Sequence, residues 1–134
     1  MNHNKYIQYV KNYIIHNTPI DFIVDETKYY EIKKRLIDDN LDSIHTNLIC
    51  ASYTLFYASL MYHKNAADDS LNQPYHILIG DYISSYVAEL LYKNKLYDIL
   101  EVFAINTKQI MLNILNEHND DQLLTNIILS LKSR

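Results

Sequence analysis

Apolar residues recur along this chain at the three- and four-residue spacings of amphipathic helices, in blocks separated by short polar breaks. The first block covers residues 5–15, with Tyr6, Val10, Tyr13 and Ile14 on one face, and His16-Asn17 ends it. Thr18-Pro19 then reads as an N-cap followed by proline in the first helical position, with Asp21 in the first turn. The stretch to residue 37 forms one helix, or two if Asp25-Glu26-Thr27 restarts it. The strongest pattern spans residues 43–62. Ile44, Leu48, Ala51, Leu55, Ala58 and Tyr62 share one face, and Ile49, Phe56 and Leu60 widen it, which predicts a central core helix. Residues 64–73 read as a polar connection. Pro74 suits the first turn of the next helix, to residue 92, and Asn94-Lys95 separates it from another over 96–116. Asn119-Asp120 caps the last helix, whose apolar residues are Leu123, Leu124, Ile127, Ile128 and Leu131.

The expectation is an all-α, single helical domain over residues 1–134, a bundle of about six helices. One glycine and two prolines support it, because a β-rich fold would need more turn residues. No apolar run reaches the ~18 residues of a membrane span, and the N-terminus lacks a signal-peptide pattern, so no transmembrane segment is expected. Cys50, alone in an apolar stretch, reads as a buried small hydrophobe in a reducing, cytoplasmic setting. The net charge of −4 and scattered basic residues argue against nucleic acid as a partner. The cluster Lys33-Lys34-Arg35 suits the last turn of a helix. The thirteen tyrosines, with no tryptophan, suit core edges where a phenol reaches water or a partner.

Asp38-Asp39-Asn40-Leu41-Asp42 matches the aspartate-rich pattern DDxxD, in which carboxylates four residues apart on one helical face hold Mg²⁺ against a diphosphate. Here Asn40 favours a left-handed helix end, and Asp42-Ser43 favours the cap of the next helix. The expected reading is two helix ends meeting. The acidic doublets Asp68-Asp69 and Asp120-Asp121 also lie at helix boundaries, where the helix dipole favours them. The six histidines show no zinc-site spacing.

The single glycine, Gly80, lies within a helical pattern, where it costs about 1 kcal/mol relative to alanine. Gly80, Ser84 and Ala88 form a stripe of small side chains that lets another helix approach. Ile79, Ile83, Val87 and Leu90 form a second, apolar face.

The segment ILIGDYISSYVAELL, residues 77–91, resembles the GDf-containing helix of trans-prenyl diphosphate synthases. It is closer to the GDY-containing helix of heptaprenyl diphosphate synthase component 1. Upstream, ASLMYHKNAADDS, residues 58–70, is similar to the family's ASLIHDDVIDDS. Ala58-Ser59-Leu60, His63 and Asp68-Asp69-Ser70 match, whereas Lys64 and Asn65 stand where the first two aspartates belong. Lysine brings a positive charge to the magnesium position, and asparagine brings only a neutral oxygen, so Asp68 alone makes a poor site. Residues 50–115 carry the resemblance, including LYDILEVFAINTKQI.

The resemblance implies a truncated isoprenoid-synthase fold and a non-catalytic subunit with no catalytic residue, metal or cofactor of its own. Mg²⁺ is expected in the catalytic component 2, which condenses isopentenyl diphosphate onto farnesyl diphosphate for the menaquinone side chain. Gly80, Tyr82, Ile83, Tyr86 and Phe103 are the expected partner-binding residues. The same helices could pair two copies of the chain in the partner's absence. The alternative class is a helical-bundle interaction module of the Bcl-2 type, holding an amphipathic helix in a groove.

Overall fold

The computed structural model describes residues 24–115 and 122–134. Among the described residues the chain is all-α: α1 (Thr27–Asp38), α2 (Thr46–Asp68), α3 (Gln73–Lys93), α4 (Tyr97–Leu115) and α5 (Gln122–Lys132). The helix expected over 5–15 and the cap at Asn119-Asp120 lie outside the described residues.

The Thr18-Pro19 cap also lies outside the described residues, and a helix does start at Asp25 to Thr27. The Asp25 carboxylate accepts the backbone N–H of Thr27 at 3.1 Å and its hydroxyl at 2.5 Å, and α1 begins there. Tyr29, Ile32 and Leu36, spaced by three and four, bury one face of α1. At its end Asn40 takes φ 56°. The N–H groups of Asn40 and Leu41 donate to the carbonyls of Ile37 (3.1 Å) and Leu36 (2.7 Å), which closes a Schellman turn. The α3–α4 junction repeats this device. Lys95 has φ 59°, and Lys95 and Leu96 donate to Tyr92 (3.0 Å) and Leu91 (2.9 Å), with both leucines buried.

α2 is the central helix, and every residue from Leu48 to Phe56 is buried. Such a helix must be covered on all sides. α1 packs on it, with the Tyr29 phenol and the Lys33 ammonium both donating to the Asn47 side-chain Oδ1 at 2.9 and 3.0 Å. Lys28 lies 4.4 Å from the centre of the Tyr57 ring. α5 closes the core with Leu123, Leu124, Ile127, Ile128 and Leu131, and packs on α4. Two polar ties hold this end. Asp39 lies 3.6 Å from Arg35 and 3.8 Å from Lys132, and Arg134 makes a two-pronged contact with Asp98 at 2.7 and 2.9 Å.

The polar connection expected over 64–73 is corrected. α2 runs on to Asp68, and the connection is only residues 69–72. Nothing in Lys64-Asn65-Ala66-Ala67 breaks a helix, and Ala66 is buried. Asp69 then organises the turn. Its carboxylate accepts the backbone N–H of Asn72 at 3.3 Å and the side-chain amide at 3.0 Å, contacts that hold it below the usual carboxylate range. The Gln73 amide donates to the Ala66 carbonyl at 3.0 Å. α2 and α3 thus form an antiparallel αα-hairpin.

Candidate functional site

The two segments that carry the resemblance face each other across the α2–α3 hairpin. The Ser59 hydroxyl donates to the Gly80 carbonyl at 2.7 Å, in the buried seam. One turn further along α2, His63 Nε2 lies 3.1 Å from Asp81 Oδ1. A Cβ on Gly80 would sit 2.8 Å from His63 Cδ2 and Nε2 and 3.1 Å from the Ser59 carbonyl oxygen. The missing side chain therefore makes room for the His63 ring and for the backbone of α2. Gly80 has ordinary helical backbone geometry, so close approach is its reason, not an unusual φ.

The remaining predicted docking residues separate into two groups. Ile83 is fully buried beneath α3. Phe103 on α4 is 3% exposed, and its ring stacks on Phe56 with centroids 4.6 Å apart. Gly80, Ile83 and Phe103 are thus occupied within the chain's own core. Tyr82 and Tyr86 are half-buried on the core edge. Beside them on α3, Tyr75 is 53% and Leu78 59% exposed. Tyr75, Leu78 and Tyr82 follow at steps of three and four, so they line one outward stripe.

Ser84 and Ala88, the rest of the small-residue stripe, wall an apolar groove bounded by α2, α3 and α4. It has two compartments, of about 380 Å³ and 170 Å³, that share Phe56, Ser84 and Thr107. The larger opens beside His63 and Leu112, and the smaller ends at Val87, Leu100 and Phe103. The Ser59 hydroxyl is spent on Gly80, and the Thr107 hydroxyl donates to the Phe103 carbonyl. The groove therefore presents mainly carbon.

Lys64, Asn65 and Asp68 lie on the last turns of α2. Lys64 is half-buried, and the other two are exposed. In the DDNLD stretch, Asp38 is the last residue of α1 and Asp42 lies past the left-handed turn at Asn40, so the two carboxylates share no helical face. Among the described residues no cluster of three or more His, Cys, Asp or Glu could hold a metal ion. Cys50 is buried in the core, and burial pushes its thiol up to about 12, partly opposed by the Lys33 charge. No helix among the described residues is long and apolar enough to cross a membrane.

Sequence reasoning placed Gly80 against a neighbouring helix but did not find Ser59 and His63 as its companions. Twenty-one residues separate Ser59 from Gly80, and only the hairpin register joins them. No family model, no curated protein and no solved structure matches this chain.

Proposed function

We propose that this chain is a non-catalytic subunit of a two-component trans-prenyl diphosphate synthase, of the heptaprenyl diphosphate synthase component 1 type. The observation that carries the reading is the hairpin itself. The ASLMYHKNAADDS and GDY segments, similar to one family in sequence, are held against each other at Ser59–Gly80 and His63–Asp81. In this reading the chain is a truncated isoprenoid-synthase bundle of about six helices, at work in the cytoplasm. Lys64 and Asn65 leave Asp68 without the carboxylates that a magnesium–diphosphate site requires. Mg²⁺ and the chemistry then belong to the catalytic subunit. The accessible docking residues are Tyr82 and Tyr86 with their neighbours Tyr75 and Leu78, since buried aromatic anchors dominate interface energetics.

The test is an assay with farnesyl diphosphate, labelled isopentenyl diphosphate and Mg²⁺. It is run on this protein alone, on a long-chain synthase subunit from the same genome alone, and on the two together. The expected result is long-chain product only from the mixture, unchanged when Asp38 and Asp42 are both replaced by alanine. Product from this protein alone, lost in that double variant, would overturn the reading.

The groove favours a second reading, a module that holds an amphipathic helix between α3 and α4, in the manner of Bcl-2-type proteins. Against it, groove-type proteins of that class carry a Gly-Asp pair at the start of a helix beside the groove, whereas Gly80-Asp81 lies well inside α3 and Gly80 packs against α2. No product in any tube, with no co-elution of the two chains, would shift the assignment to this second reading.

A further inference from the structure

We draw no further inference here: the strongest candidate, the apolar groove between α2, α3 and α4 floored by Phe56 and Leu60, is an unpartnered apolar face and nothing in the structure shows what covers it.

Discussion

Replacing Gly80 by alanine sets two effects of similar size against each other. Alanine is the better helix former by about 1 kcal/mol. Its Cβ would meet the His63 ring at 2.8 Å and the Ser59 carbonyl oxygen at 3.1 Å. The ring is the outer end of a side chain that is 28% exposed, so it can swing outward, but it then leaves Asp81. The carbonyl belongs to α2, so the hairpin must open by a few tenths of an ångström around the Ser59–Gly80 hydrogen bond. Overpacking of this kind costs roughly 1–3 kcal/mol, and loss of the partly exposed His63–Asp81 contact adds a few tenths at most. The expected balance is a net loss of about 1 kcal/mol. With a urea slope of about 2 kcal/mol/M, that lowers the unfolding midpoint by about 0.5 M, read by circular dichroism at 222 nm. The same substitution in a His63→Ala background meets only the Ser59 carbonyl and is expected to be close to neutral. The double-mutant cycle should therefore show a coupling of about 1 kcal/mol. A Gly80→Ala variant that is more stable than the parent by the full helix-propensity gain, with no coupling to His63, would refute the close-approach argument.

Three further predictions rest on other parts of the fold. Lys95 occupies a left-handed position that favours glycine, so Lys95→Gly should stabilise by about 0.5–1 kcal/mol, whereas Lys95→Ala should not; a lowered urea midpoint for the glycine variant would contradict this. The hydrogen-bonded Arg134 guanidinium holds the Asp98 carboxyl below the usual range. Its contribution is in place above the unfolded value of about 3.9 and is lost as pH falls through the lower folded value. Both side chains are at least a third exposed, so the contribution is at most about 1 kcal/mol; Asp98→Asn should lower the midpoint at pH 7 and make much less difference near pH 2. Cys50, with its thiol buried and its pKa pushed up to about 12, should resist a disulfide reagent at pH 8 until urea unfolds the chain; rapid labelling of the folded protein would show that α2 is not covered as described.

Much of the helical plan is local chemistry and was legible in the sequence. Asn40 and Asn94-Lys95 end helices because a Schellman turn needs only a left-handed residue and the last few carbonyls of the same helix. Pro74 marks the start of α3, and the apolar pattern identified the central helix, although α2 begins only at Thr46, past the cap expected at Asp42-Ser43, and Ile44, expected on the core face, is exposed. The DDNLD stretch could likewise be read as a helix end from Asn40 alone. The end of α2 was less legible. Polar side chains in Lys64-Asn65 resemble a loop, yet polarity ends no helix when the backbone can continue and Ala66 has a covered surface to meet.

What the sequence by itself determined is therefore the all-α character, most helix boundaries and the need for a neighbour close to Gly80. Tertiary structure alone decided which neighbour that is. Ser59 and His63 reach Gly80 and Asp81 because a four-residue connection folds α3 back along α2. The same packing took Ile83 and Phe103 into the core, left Tyr75 and Leu78 outside, and opened the groove beside Ser84. Hydrogen bonds within a turn span a few residues and can be read from a few residues. The face that a helix turns toward its neighbour is fixed only when distant segments compete to bury the same apolar surface.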